Sequence, residues 1–479
     1  MDARSAPALP LPLRRLQTGG SPGASVSERP WLILPVETKA RELDAKTYLA
    51  CAAAEAGFRV LLGEQNALLR RLSRLPRGFY LDKSIAPLKV PSFERLKKFG
   101  FRVGAWCEEG LVYRNRDAYL HERVAPRAFD EIEAFFAWGG EHAADIRGVV
   151  HDVPERVFET GNPRLDLLRP GLREFYRPDA EALRARFGDF ILINTNFARY
   201  NHYFGRDKVL DILKTRGLVR HAKDETFFRG WIDFLGQVFH SFEDMLPRLA
   251  KAFPTRTIVL RPHPSENHDT WRKIAAGIPN VQVIYEGGVV PWLMASALSI
   301  HNGCTTGIEG ALVDKPVFAY RKARSQTYDS FLPHRVSVNV DSFEELAGAI
   351  ESVLAGNYRA PLKDDAAVRA DVARYIASLE GPSATERVLS RIAALPDIPL
   401  GRGTLTARLL DQGEQALRTV ARTVLAPVRS TGGYAKQKFP GLQPREIETL
   451  VERYRALTGR FGTVTVRPEH TATVTMETG

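Results

Sequence analysis

Short runs of branched and aromatic residues, each closed by glycine, proline or a charge and followed by an amphipathic stretch, recur along this chain. They constrain its fold more than any other feature. WLILPV (31–36), FRVLLG (58–63), GFYL (78–81), FRVGAW (101–106) and FFAWG (135–139) occupy the first third. FILINTN (190–196), TRTIVL (255–260), VQVIY (281–285), ALSIHN (297–302) and PVFAY (316–320) follow a break at VFETGNPRLDLLRP (157–170). Helical patterns fill the gaps: through LDAKTYLACAAAEAG to Gly57, near 64–74, over SFERLKKFG (92–100), across 225–253, and over 342–356 with Ser342 as its cap. Buried strands alternating with amphipathic helices predict parallel sheets and an α/β fold. Two such series predict two Rossmann-like domains facing across a cleft. The expected layout is a disordered leader at 1–28, an N-terminal Rossmann-like domain at 29–165, a C-terminal Rossmann-like domain at 166–400, and a helical extension with a disordered tail at 401–479. No repeat of fixed period is present.

Composition narrows the class. The chain has 479 residues with 44% apolar content, enough for full-sized cores without metal or disulfide staples. Its longest apolar run, VVPWLMASALSI (289–300), is too short to span a bilayer. The first thirty residues lack the continuous apolar segment of a signal peptide. The three cysteines, Cys51, Cys107 and Cys304, follow no zinc or disulfide spacing, which points to a reducing cytoplasm. A net charge of +11 suits anionic partners. Aromatic residues are not interleaved with the basic ones, and no nucleic-acid motif is found, so nucleic acid is not expected. The basic amphipathic stretch TARLLDQGEQALRTVARTVLAPVR (406–429) is predicted helical, packed on the body or resting on the inner face of the cytoplasmic membrane.

In open α/β sheets chemistry gathers beyond the carboxyl ends of strands. His263 lies on such a loop, RPHPSEN (261–267), between Pro262 and Pro264, which stiffen the backbone, and beside Arg261. A rigid loop suits an imidazole that must meet a phosphate; it also suits a histidine that closes a strand by bonding a carbonyl. In SIHNGCTTGIEG (299–310) a strand ends at His301-Asn302-Gly303 and a helix begins near Thr305 and Thr306. A helix start offers free N–H groups to phosphate, with Glu309 one turn on for a ribose diol. A plain threonine cap with a surface glutamate fits the same residues. In AWCEEGLVY (105–113), Glu108 and Glu109 precede Gly110, and adjacent carboxylates of extended chain face opposite ways. One of them could take a proton from a hydroxyl nucleophile, although acidic turns are common. Glu37, Lys39, Arg41 and Glu42 follow the first strand, and Asn194 and Asn196 end the first strand of the second series; helix capping would also account for them. There is no dinucleotide fingerprint, no P-loop and no metal-holding D-x-D, so no cofactor and a metal-free mechanism are expected.

ETKARELDAKTYLACAAAEAGFRVLLG, GNPRLDLLRP, NTNF, RPHPSENHDTW and PWLMASALSIHNGCTTGIEGALVDKPVFAY together resemble the bacterial surface carbohydrate biosynthesis proteins, which are GT-B glycosyltransferase-like. The likeness spans roughly residues 30–355 and extends to KFPGL (438–442). A more distant likeness is to bacterial GT-B sialyltransferases and Kdo transferases, which carry an acidic-acidic-glycine motif, a His-Pro motif and a Ser/Thr motif in the order Glu108-Glu109-Gly110, His263-Pro264, Thr305-Thr306. This chain departs from them in having Glu-Glu and threonines. The resemblance implies Glu109 as general base, His263 as acid or charge at the phosphate of a CMP-sugar, the threonines as phosphate donors, and a glycan or lipid-linked glycan acceptor. A CDP-polyol phosphotransferase, a nucleotide-sugar epimerase and a non-catalytic membrane-surface scaffold are the alternatives.

Overall fold

The structure is a computed structural model that describes residues 29–401, 438–470 and 472–479. The expected leader at 1–28 and the basic helix at 406–429 lie outside the described residues. Two compact units form by contact. Of the described residues, one comprises those within 29–110, 123–175 and 375–479; the other comprises Leu111–Glu122 and Tyr176–Arg374.

The first unit is built on β1 (Trp31–Val36), β2 (Arg59–Glu64), β3 (Gly78–Asp82), β4 (Arg102–Trp106), β5 (Ala134–Ala137) and β6 (Val157–Glu159), all pairing in parallel. β1 and β3 are buried along their whole length, as the unbroken apolar runs require of strands covered on both faces. The helix Lys39–Glu55 packs on this sheet, and its Tyr48 meets Tyr454 of the helix Pro444–Thr458 at 5.2 Å between ring centroids. That later helix buries Ile447, Val451 and Tyr454, one face at helical spacing.

In the second unit β7 (Ile191–Asn194), β8 (Ile258–Arg261), β9 (Val281–Val283), β10 (Leu298–His301), β11 (Val317–Tyr320) and β12 (Val338–Val340) form a wholly parallel sheet in the order β12-β11-β10-β7-β8-β9. The 31-residue helix Ala222–Ala252 covers one face; Phe239, Phe242 and Leu246 join Ile193, Leu260 and Ile300 in the core. The predicted helix after Ser342 spans Phe343–Leu354, with the Ser342 hydroxyl accepting from the Glu345 amide at 3.2 Å.

The expected disordered tail is corrected. Residues Val464–His470 (β13) and Thr473–Thr478 (β14) form an antiparallel hairpin, and β14 adds antiparallel to β2. The Thr-Val alternation sends Val474 and Met476 into the core, and the pairing covers an otherwise open edge. Gly63 is required there, because a Cβ on it would stand 2.5 Å from the Thr473 methyl. The helix Ala384–Ala393 also belongs to the first unit. Buried Asp166, from the expected crossing point, accepts from the amides of Ala384 and Thr385 at 2.8 Å each. Burial pushes the Asp166 carboxyl up to about 6 against those hydrogen bonds. No helix among the described residues is long and apolar enough to cross a membrane.

Candidate functional site

Register alone gathers the second unit's candidates. Asn194 pairs with Arg261 on one side and with His301 on the other, so β7, β8 and β10 end level at one edge. The loops carrying Asn196, His263 and Thr305-Thr306 therefore leave the same edge side by side.

A residue that the sequence reading missed holds two of these loops together. Glu266 is fully buried. Its Oε1 accepts from the Thr195 hydroxyl (2.8 Å), the Phe197 amide (3.0 Å) and the His263 amide (3.1 Å). Its Oε2 accepts from the Trp271 indole (2.8 Å) and the Asn201 amide (3.4 Å). Burial raises the pKa of this carboxyl, and the donors oppose the rise. The loop after β7 is further stitched to the loop after β8, since Tyr203 N–H donates to Ser265 O at 2.9 Å and Asn267 N–H to Asn201 O at 2.8 Å. The only sequence signal for this hub is a glutamate three residues beyond the histidine.

His263 is half-buried. Its Nδ1 accepts from the Ser265 amide at 3.1 Å, which places the proton of the neutral ring on Nε2. The Pro-His-Pro backbone and Glu266 thus present a ring N–H at fixed geometry. Pro264 contributes stiffness.

Arg261, expected to add anion affinity beside His263, is engaged by other groups. Its guanidinium donates to the carbonyls of Glu286 (2.7 Å) and Gly287 (3.1 Å) and stacks on Trp292 with 4.6 Å to the ring centroid. Burial lowers its pKa to about 10. It anchors the segment before the helix Val289–Ala295.

Asn302 clamps β10 to β7: its Oδ1 accepts from Asn196 N–H (2.9 Å) and its Nδ2 donates to Asn196 O (3.1 Å). The next residue, Gly303, has φ of +84°, and a Cβ there would lie 2.8 Å from both the His334 ring and the Ser330 hydroxyl. The helix Thr305–Leu312 then begins, with Cys304 as its cap position and no side-chain cap bond; Cys304 Sγ lies 2.9 Å from the Thr306 hydroxyl. Thr305 is the first residue of that helix, and Glu309 is buried within it. Below it, His301 is buried; its Nδ1 accepts from Gly303 N–H at 2.9 Å, so its Nε2 donates to the Ser337 hydroxyl at 2.8 Å. Burial, together with His334 and Arg114, lowers the His301 pKa to about 3; burial, Arg321 and Arg114 do the same to His334.

The first unit's candidates form a different environment. After β1, buried Glu42 accepts from the Glu37 (3.1 Å) and Thr38 (2.9 Å) amides and from Lys46 Nζ (2.8 Å). Glu37 pairs with Lys83 and, at 3.0 Å, with Lys438. Burial works to raise its pKa, but the two ammoniums outweigh it and lower it to about 2. Lys39 bonds Glu446 (2.6 Å) and Gly441 O (2.7 Å). KFPGL therefore folds back onto the loop after β1.

After β4, the Glu108 side chain is 3% exposed, accepts from the Trp106 indole at 2.8 Å and lies 3.5 Å from Arg164. Glu109 is 45% exposed and pairs with Arg123, with Arg41 at 3.9 Å. Gly110 is fixed by packing, since a Cβ there would collide with the His142 ring. Buried His142 accepts from Trp138 N–H at 3.2 Å, and Trp138 Nε1 donates to Cys107 O at 2.6 Å. Among the described residues no group of three His, Cys, Asp or Glu side chains converges to hold a metal ion.

No protein family model matches the chain, and no curated protein matches it. Solved structures that it resembles include the wall teichoic acid polymerase TagF, at 11% identity and a TM-score of 0.49, covering 77% of this chain and 89% of that one. Another is the UDP-GlcNAc 2-epimerase of Neisseria meningitidis, at 13% identity and 0.44, covering 76% and 98%. The corresponding epimerase of Methanocaldococcus jannaschii is 12% identical at 0.42, covering 76% and 99%. At these identities and scores no residue role is carried over from them.

Proposed function

We propose that the chain is a glycosyltransferase of surface-polysaccharide synthesis that takes its sugar from a nucleotide-activated donor, a CMP-linked acidic sugar. The observation that carries this reading is the level ending of β7, β8 and β10, which sets the His263 loop and the Thr305-Thr306 helix start along one edge of one sheet. A single leaving phosphate needs one proton or cation and a few fixed donors. In this reading the acceptor oxygen bonds the anomeric carbon, the bond from that carbon to the phosphate oxygen breaks, and the electron pair leaves with the nucleotide. His263 Nε2–H donates to the departing phosphate, and the helix N–H groups and threonine hydroxyls hold it. Glu109 takes the acceptor proton; its exposure, against the burial of Glu108, supports that choice between the two. Inversion follows from direct displacement. The acceptor is a glycan or lipid-linked glycan hydroxyl.

Calorimetry with CMP, CDP and UDP, followed by product analysis on the matching donor, tests the reading. CMP binding, and release of CMP with a new glycoside, are expected. CMP with a phosphodiester product, an isomerised donor or no nucleotide binding would each overturn it.

A further inference from the structure

The segment Leu111–Glu122 groups by contact with the second unit, while its flanks on both sides belong to the first. Arg199 holds it there, bonding Glu122 at 2.6 and 2.7 Å while stacking on Trp231 at 4.3 Å. The segment thereby delivers Arg114 to the start of the helix Thr305–Leu312. Arg114 Nη1 donates to Tyr328 O at 3.1 Å, and Nη2 to Asn302 O at 3.4 Å. These bonds orient the guanidinium without neutralising it. Asp329, the carboxylate whose field reaches it, is itself bonded to Arg321 at 2.6 Å.

A largely buried cation without a carboxylate is costly. Here it also stands beside the positive end of a helix and next to His301 and His334, and Asp329, whose field reaches it, is already held by Arg321. One further group points the same way. Asn194 is 3% exposed, and its Nδ2 has no hydrogen-bond partner among the described residues. Residues paired across parallel strands share a face, so Asn194 lies on the face of His301, whose ring sits under Gly307 of that helix. An unpaired cation, an unused amide donor and uncapped helix N–H groups are complementary to one kind of guest, a compact oxyanion.

We infer that Arg114 and Asn194 complete a phosphate site at the start of the helix Thr305–Leu312, one that takes the phosphate of a nucleoside mono- or diphosphate. The nucleoside part of this inference rests on the proposed donor chemistry; the phosphate part stands on the geometry. Arg114 is then the residue that makes the affinity depend on phosphate charge.

The test compares wild type, Arg114→Gln, Arg114→Lys and Asn194→Ala for binding of CMP, cytidine and inorganic phosphate, at low and high salt. Unfolding midpoints check the fold. Expected are at least a tenfold loss of CMP and phosphate affinity in Arg114→Gln, no change for cytidine, a flatter salt dependence, partial recovery in Arg114→Lys, and a smaller loss of several-fold in Asn194→Ala. A loss of structure alone would weaken cytidine and CMP alike and leave the salt slope unchanged, which would overturn the inference. Wild-type CMP affinity in folded Arg114→Gln would overturn it too. If wild type binds inorganic phosphate through Arg114 but no nucleotide, the phosphate part of the inference holds and its nucleoside part fails with the donor reading. If wild type binds neither, both fail.

Discussion

The carboxyl edges of the two sheets solve the same problem in opposite ways. At the first, carboxylates and cations neutralise one another: Glu37 with Lys83 and Lys438, Glu42 with Lys46, Lys39 with Glu446, Glu109 with Arg123. At the second, the buried carboxylate Glu266 serves N–H and O–H donors, two histidines are held neutral, and Arg114 keeps its charge. A self-neutralised edge has little field to offer a multiply charged guest. An edge with uncompensated positive charge does, which is why the proposed function puts the donor phosphate on the second unit and the acceptor hydroxyl on the first.

That contrast is most exposed at Glu266. Glu266→Ala leaves five donors facing a cavity, and we expect a stability loss of at least about 3 kcal/mol confined to the second unit, with nucleotide binding abolished. Denaturant unfolding followed by hydrogen exchange for each unit measures it; an unchanged midpoint would show that the hub is dispensable. Next in size, Glu109→Gln should lower turnover about a hundredfold or more while leaving CMP affinity intact. His263→Ala should lower both. Collapse of activity in Glu108→Gln with near-normal turnover in Glu109→Gln would reassign the base.

Acid separates the units more gently. His301 and His334 must stay neutral in the fold, so the stability they give is complete above pH 6.5 and is lost as pH falls from 6.5 toward 3. In the first unit His142, lowered to about 4 by burial, acts from 6.5 downward, and Glu37 loses its contribution only between 4.5 and about 2. Asp166 runs the other way, gaining stability as pH falls from about 6 to 3.8, and Glu266 in the second unit, also raised by burial, runs the same way as Asp166 against the two histidines. The second unit should therefore open first in hydrogen exchange as pH drops from 7 to 4.5, and the reverse order would refute this account. Smallest of all, Lys438→Ala removes a partly exposed partner of Glu37 and should cost about 1 kcal/mol or less. A larger loss in thermal unfolding would mean that the returning segment does more than close an ion pair.

The buried strands were legible because doubly covered parallel strands read as unbroken apolar runs; β1, β3, β8 and β11 lie where the sequence places them. β12 is three residues long and offers no run to detect. The hairpin of β13 and β14 was passed over because threonine and charge dilute its apolar content, although its period of two was present in TVTV and TATVTMET. Within the site, loop positions at strand ends were readable, but side-chain roles depended on tertiary partners. Arg261 looked like an anion receptor beside His263, yet its face of the strand is covered by Trp292 and two carbonyls. Arg114 sits in LVYRNRD without a pattern, and only the grouping of its segment with the second unit brings it to Asn302.

The hairpin that closes the β2 edge has a consequence for how the protein is made. Apart from Leu111–Glu122, the second unit is one continuous stretch from Tyr176 to Arg374, so a ribosome can release it and let its sheet condense while the remainder is still being translated. The first unit begins earlier and finishes later. Its opening strands emerge first, then wait through several hundred intervening residues for the strand that seals them. During that wait β2 presents a row of unpaired backbone N–H and C=O groups, which makes nascent first units the stage at which chaperones, or pairing with one another, would claim this chain.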